Sequence, residues 1–361
     1  MVKSAPLFLS LCAAVLAGCS NENRAAAEFS LQACRRVALA DSITGAAIVG
    51  AEDLAPDVRA GRLYVSAYDR RAVEAAVKVN AHELPQGGVY SVEIAELASG
   101  APSVTATPLA PVDAIPGGLR PHGLTYDDEL GEIIFINRAY VKSGDKWVMQ
   151  PRVERINVDG AAVVGDAGSP PCAANDIVTI GDATFVSFDH AACGGGAIVE
   201  NLFGFKRSGV ADIHGAPIFS HALFANGVLA LSEDRLILAA TREKALLVLE
   251  KDNKNDWRVT RRIKLPGAPD NLTRAADGAV VVALHPSLWR AGAHRRLGWR
   301  RAPSRIVKTT LANGDAQLLF DDPRGTLFSA ATAAAVADDL LVAGSATDSG
   351  LLVCQKDMSQ L

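Results

Sequence analysis

Six times along this 361-residue chain a polar residue or pair stands just ahead of an apolar run: Glu52-Asp53, His122-Gly123, Asn175-Asp176, Asn226-Gly227, Asp270-Asn271 and Ser329-Ala330. The intervals are 70, 53, 51, 44 and 59 residues, each long enough for about four short strands and their turns. Between the starts lie runs rich in Val, Ile and Leu, such as Ile133-Ile-Phe-Ile, Leu246-Leu-Val-Leu and Val280-Val-Val-Ala-Leu, punctuated by Gly, Asp and Asn. Outside the amino-terminal segment, helical periodicity is confined to a short stretch from Val73 to Val79. The chain therefore reads as all-β. A polar start, an apolar step and then a stronger apolar run give an innermost strand, a turn and a second strand. Radial sheets of this kind leave an axial channel, and the starts of the innermost strands meet at one mouth of it.

Side chains that carry only oxygen donors, delivered by separate units, suit a hard divalent cation such as calcium, which takes about six to eight oxygens in irregular geometry. Successive strand residues point opposite ways, so a doublet can give one side chain to an upper ion and its neighbour to a deeper one. Glu52, Asn175, Asn226, Asp270 and Asn271 are assigned to the upper ion: the carboxylates balance charge, the amides add oxygens, and open positions remain for chemistry.

With 49% hydrophobic and 21% charged residues the chain has the makings of a large core, which excludes a disordered protein. A net charge of -4 offers no field for a polyanion, so nucleic acid is set aside as a partner. Lys3 followed by the apolar stretch Pro6 to Ala17 reads as an export signal, too short to span a bilayer as a mature helix. It ends in Leu16-Ala17-Gly18-Cys19, which resembles a bacterial lipobox. The expectation is a lipoprotein signal peptide at 1–18, a tether at 19–30 with Cys19 acylated, and one domain at 31–361. The protein would then be exported and held by a lipid anchor on a membrane, periplasmic or at the cell surface. A plain signal peptide containing Cys19 by chance is the alternative. Apart from Cys12 and Cys19, four cysteines remain, Cys34, Cys172, Cys193 and Cys354, an even number suited to an oxidising compartment. A bridge between Cys34 and Cys354 would clasp the two ends of the domain. Cys172 and Cys193 read equally well as a second bridge or as two free buried thiols.

The motifs Gly50-Ala-Glu-Asp-Leu, Pro121-His-Gly-Leu, Asn175-Asp-Ile-Val, Ser187-Phe-Asp-His190, Phe224-Ala-Asn-Gly, Asp270-Asn-Leu, Leu284-His-Pro and the terminal Leu-Leu-Val-Cys354 occur along nearly all of 34–354. In order and approximate spacing they resemble the paraoxonase/arylesterase family. The resemblance implies a six-bladed β-propeller closed by its N- and C-terminal strands with a Cys34–Cys354 disulfide. It also implies two Ca2+ ions and hydrolysis of lactones or aryl esters. Glu52, Asn175, Asn226, Asp270 and Asn271 would hold the catalytic ion. Asp53, Asp176 and the backbone carbonyl of Leu124 would hold the structural one.

His122 falls on that family's general base, and an imidazole suits the task because its ordinary pKa lies near neutrality. Arg138 stands where the family's second histidine is expected, and an arginine cannot relay a proton. Asn137 is a candidate substrate contact. His190 and His285 occupy family histidine positions, in catalytic or supporting roles, and Tyr68, Asp69 and Arg70 are expected near the site. Two further departures stand out. Residues 191–222 show Gly194-Gly-Gly and no clean helical face, and Arg290 to Arg301 reads as a solvated loop, with contact to anionic lipid as its alternative.

The resulting expectation is a calcium-dependent lactonase or arylesterase acting on a small-molecule ester or lactone, with no protein partner inferred. Two other readings compete: a calcium-stabilised propeller without catalysis, and a gluconolactonase-type propeller hydrolase with one metal and other ligand positions.

Overall fold

A computed structural model describes residues 26–356 except 112–114, 159–162 and 338. The expected signal peptide, Cys19 and the first part of the tether lie outside the described residues. Strands dominate, as the Val, Ile and Leu runs require. Four separate four-stranded antiparallel sheets occupy 121–168, 174–222, 225–264 and 268–322. A nine-stranded sheet carries the remainder of the main ladder. One half of it is 51–108. The other half joins Ala333–Ala337, Leu340–Gly344 and Leu351–Gln355 to the N-terminal strand Cys34–Asp41, which also runs parallel to Ser103–Pro108.

Among the described residues, the strands Ala51–Asp57, Pro121–Asp127, Ala174–Ile180, Ala225–Ser232, Ala268–Arg274 and Ala333–Ala337 each touch the next, and the last touches the first. They form a closed ring around an axis. The apolar core is divided in the same way, into clusters lying between consecutive sheets. Leu246 and Val248 of one sheet, for example, pack on Val282 and Leu284 of its neighbour. Each of these four is fully buried, which contributes about 1.5–3 kcal/mol per side chain.

Cys34 pairs directly opposite Cys354 on antiparallel strands, and their sulfurs are bonded at 2.06 Å. The expected clasp is therefore present. Cys172 and Cys193 are bonded as well, so they are not free thiols.

Four helices stand outside the sheets among the described residues: α1 Arg70–Lys78, α2 Ile94–Ala98, α3 Gly195–Phe203 and α4 Leu288–Arg296. Asp69 caps α1 by accepting from Ala72 N at 2.9 Å. The helix falls where the short periodicity ending at Val79 placed it. Helices α3 and α4 correct the sequence reading, which found no helix at 191–222 and a loop at Arg290 to Arg301. In α3 the apolar residues Ile198, Leu202 and Phe203 face solvent while Glu200 is buried. Glu200 carries the amides of Ala191 and Ala192 on its carboxylate. That inverts the pattern by which a surface helix is recognised. The last turn of α4 carries His294, Arg295 and Arg296, where cations favour a helix C-terminus.

The sixth polar start is also corrected. Ser329-Ala330 precedes the sixth inner strand, which begins at Ala333; Thr332 is the residue there that reaches the axis, its hydroxyl donating to Glu52 O at 2.7 Å.

Candidate functional site

Five of the inner strands share one irregularity. Their pairing with the second strand slips between Ala51 and Asp53, Pro121 and Leu124, Ala174 and Ile177, Ala225 and Val228, and Pro269 and Leu272. Each slip coincides with a predicted polar doublet, while Ala333–Ala337 pairs regularly. A bulge bends a strand and re-aims its side chains, which lets both members of a doublet serve the axis. Where the doublet is His122-Gly123 or Asn226-Gly227, the glycine makes room. A Cβ at Gly123 would lie 2.4 Å from Asp176 Cα, and one at Gly227 would lie 2.5 Å from Asp270 O. The inner strands approach here more closely than any side chain allows.

The first members of the doublets meet in a cavity of about 410 Å³ whose wall includes Glu52, His122, Asn175, Asn226 and Asp270. Asn271, 1% exposed, sits behind the wall and donates from Nδ2 to Glu52 O at 3.2 Å. Asn226 Nδ2 donates to Asp270 Oδ1, and His285 Nε2 lies 2.6 Å from Asp270 Oδ2. The oxygens left over are informative. Glu52 Oε2, Asn175 Oδ1, Asn226 Oδ1 and Asn271 Oδ1 are buried with no hydrogen-bond partner. Buried acceptors of this kind call for a cation or a donor, and an all-oxygen set of carboxylates and amides fits calcium. Among the described residues no group of three or more His, Cys, Asp and Glu could hold a metal ion; the donors here are carboxylates together with amides.

The second members lie deeper. Asp53 and Asp176, each 3% exposed, repeat one arrangement. Asp53 takes Leu124 N at 2.9 Å and Leu54 N at 2.9 Å; Asp176 takes Val228 N at 2.7 Å and Ile177 N at 2.8 Å. Leu124 thus meets Asp53 through its N–H. Burial, and for Asp53 the charge of Asp176, push both acids up, Asp176 to about 8. Two carboxyl groups confined together in this way are relieved by a shared cation. A second cavity of about 170 Å³ borders Asp53, Leu124 and Asp176.

Three imidazoles line the upper cavity, His122, His190 and His285. His122 Nδ1 lies 3.0 Å from Arg70 Nη2, which donates to it. Glu52 Oε2 is also 3.0 Å away, without the alignment of a hydrogen bond. Burial first and the charge of Arg138 next bring His122 down to about 3, against the opposing pull of Glu52. Burial raises Glu52, but His122, Arg70 and Arg138 together hold its carboxyl well below the usual range. His190 differs: its Nδ1 is 2.5 Å from Asp189 Oδ1. Burial opposes its charge, but Asp189 keeps it above the ordinary 6.5. The Nε2 atoms of His122 and His190 are buried without a hydrogen-bond partner.

Of the other expected contacts, Arg138 lines the cavity. Tyr68 is buried outside its wall, with the Arg70 guanidinium 5.7 Å from its ring centroid. Asn137 is corrected. Its Oδ1 accepts from Arg120 N at 2.8 Å and its Nδ2 donates to Gly118 O at 3.1 Å, so the amide is consumed in holding a turn and does not face the cavity. Sequence reading left out Arg295 and the Cys172–Cys193 bridge as parts of the wall; Arg295 comes from the stretch it read as a solvated loop.

No protein-family model matches the sequence, and no curated protein matches it. Solved structures do match. A protein given provisionally as a gluconolactonase is 12% identical with a TM-score of 0.51, over 91% of this chain and 94% of its own. The periplasmic gluconolactonase of Pseudomonas aeruginosa is 12% identical with a TM-score of 0.48, over 87% and 83%. Virginiamycin B lyase of Staphylococcus aureus is 12% identical with a TM-score of 0.44, over 86% and 96%. Together with the ring of sheets, the first of these likenesses makes the fold an all-β propeller.

Proposed function

We propose that this chain is an exported, calcium-dependent lactone hydrolase on a six-bladed propeller spanning 31–361. The observation that carries the reading is the set of buried oxygens without partners, brought to one cavity by bulges on separate inner strands. Glu52, Asn175, Asn226, Asp270 and Asn271 would hold the catalytic ion, and Asp53, Asp176 and Leu124 the structural one. A divalent cation bound at the upper set would polarise the substrate carbonyl and offset the charge that develops on its oxygen. The gluconolactonase description of the relative at a TM-score of 0.51 supports a lactone over an aryl ester. It also supports a reading close to the gluconolactonase type; the paired acids Asp53 and Asp176 favour two ions over one. Two disulfides suit an oxidising compartment, in keeping with export and with a lipid anchor at Cys19.

In the reaction, water oxygen joins the carbonyl carbon and the acyl C–O bond breaks. One water proton ends on the ring oxygen, and the other leaves as the new acid ionises. Two imidazoles compete to take the first proton. His122 stands beside Glu52 and is neutral at pH 7, but its Nδ1 lone pair is taken by Arg70 and would serve as a base only once that hydrogen bond is released. His190, oriented by Asp189, is the stronger base. Asp270 is fixed by His285, and Glu52 by Thr332 and Asn271 through its carbonyl.

The test is hydrolysis of a series of aliphatic lactones and of phenyl acetate, with chelator and after calcium is returned. Activity lost and then restored supports the reading. The pH profile separates the bases: an acid limb well below 6.5 belongs to His122, one above 6.5 to His190. A non-catalytic propeller is the second reading. It is favoured by the Arg70 hydrogen bond to His122 Nδ1, which places the remaining proton on Nε2. Folded, calcium-loaded protein inactive on every ester and lactone would establish that reading instead.

A further inference from the structure

We infer that the molecule this cavity takes carries a negatively charged group, a carboxylate or a phosphate, and that Arg138 is the residue that receives it. The identity of the molecule as an ester or lactone rests on the hydrolase reading; the anion subsite itself rests on charge and geometry.

Each charged group of the cavity wall stands beside an opposite charge or an imidazole, with a single exception among the described residues. Arg70 stands 3.9 Å from Glu52. Arg295 pairs with Glu74. Asp189 is 2.5 Å from His190, and Asp270 is 2.6 Å from His285. Among the described residues no carboxylate forms an ion pair with Arg138; the Tyr68 hydroxyl and, from farther off, Glu52 feel its charge. The Nε of Arg138 is buried without a hydrogen-bond partner. The guanidinium borders the cavity, and its planar fork matches a carboxylate or phosphate through two parallel hydrogen bonds.

The position is also held firmly. Arg138 follows directly on the strand Glu132–Asn137, and its amide donates to Arg120 O at 3.0 Å. Asn137 ties the same turn through both ends of its amide. A binding group on a fixed strand end loses little freedom when it engages. Met149, Phe224 and Leu288 add apolar surface to the wall, so the fitting molecule is a compact one with an apolar body and a charged end. Binding sites for such molecules occupy roughly 300–1,000 Å³, and this cavity holds about 410 Å³.

The experiment uses the full calcium-loaded chain and its Arg138→Met and Arg138→Lys variants, with unfolding temperature and bound metal measured for each. Three substrates share one ring: γ-butyrolactone, the same lactone bearing a carboxylate, and the same lactone bearing a phosphate ester. Binding is read separately by calorimetry with 2-hydroxyglutarate, the hydrolysis product of the carboxylated lactone, and with glycerol phosphate. The expected result is a charged-to-neutral ratio of kcat/KM that falls about 10- to 100-fold in Arg138→Met, the scale of a lost charge-assisted hydrogen bond, and recovers in part in Arg138→Lys. The carboxylated and phosphorylated arms identify which anion is preferred. A ratio and an anion affinity that are both unchanged in Arg138→Met overturn the proposal. If no lactone is hydrolysed but anion binding still depends on Arg138, the hydrolase reading falls and the anion subsite stands. If neither hydrolysis nor Arg138-dependent binding is found, both fall.

Discussion

Arg70 Nη2 donates across 3.0 Å to Nδ1 of His122, so the imidazole that the sequence offers as a base is gripped by a cation on the nitrogen that would need to carry a proton. The two residues come from different sheet connections: His122 from an inner strand, Arg70 from the first turn of α1. The chemistry of the cavity depends on how this contact is balanced by Glu52.

After burial, Arg138 is the strongest influence holding His122 near 3, and Arg70 acts in the same direction. Arg138→Met is therefore expected to raise the His122 titration midpoint more than Arg70→Met does. Proton NMR of the ring Cε1–H resolves this. Equal midpoints in all three proteins would mean that charge does not couple these groups.

His285 Nε2 holds Asp270 Oδ2 at 2.6 Å. Removing a partner that orients a ligand typically costs about 10–100-fold in metal affinity or activity. His285→Ala is expected to lose that much in both, and Asn226→Ala or Asp270→Ala more. Titration with calcium alongside lactone turnover measures it; tight binding retained in Asp270→Ala would exclude Asp270 as a ligand.

The deeper acids give a pH dependence whose sign is fixed by burial. Asp176 is raised from 3.8 to about 8, and Asp53 is raised as well. Their contribution to stability is fully present below 3.8 and is lost as pH climbs to about 8. Chelated protein should accordingly show a falling Tm across that window. Calcium should raise Tm more at the alkaline end of that window than at the acid end, because fewer protons compete with it for the acids. Asp176→Asn should flatten the dependence and remove most of calcium's effect on Tm. An unchanged calcium response in that variant would disprove a shared ion at this pair.

The two disulfides should separate by length of loop. Cys34 and Cys354 are 320 residues apart, Cys172 and Cys193 only 21. In the chain-entropy model the first stabilises by about 6 kcal/mol and the second by about 3 kcal/mol. Urea unfolding of the paired Ser variants tests the order. The Cys172–Cys193 variant should also change KM, because both residues line the cavity.

What the sequence disclosed was side-chain chemistry in register. Glu52, His122, Asn175, Asn226 and Asp270 were legible because each is polar immediately before an apolar run, and the structure gathers all of them. The bulges that aim them were not, since a slip in a ladder belongs to two strands at once and leaves no residue signature. Ser329-Ala330 imitated the pattern without lying on the sixth inner strand. Helix α3 escaped notice because its apolar side chains point outward, and Asn137 was misread because only its partners, Arg120 N and Gly118 O, reveal that its amide is fully engaged. Arg70 was expected near the site; its hydrogen bond to His122 Nδ1 was not, because it depends on how the fold brings positions 70 and 122 together.

The strand Cys34–Asp41 is made before every other strand of its sheet, yet it lies between Ser103–Pro108 and Leu351–Gln355, the last of them to be made. Synthesis must finish before the circle can shut. Every intermediate length of chain leaves an unpaired sheet edge exposed to neighbouring molecules, and a stop codon even a few residues ahead of Cys354 would forfeit the seam as well as the tail.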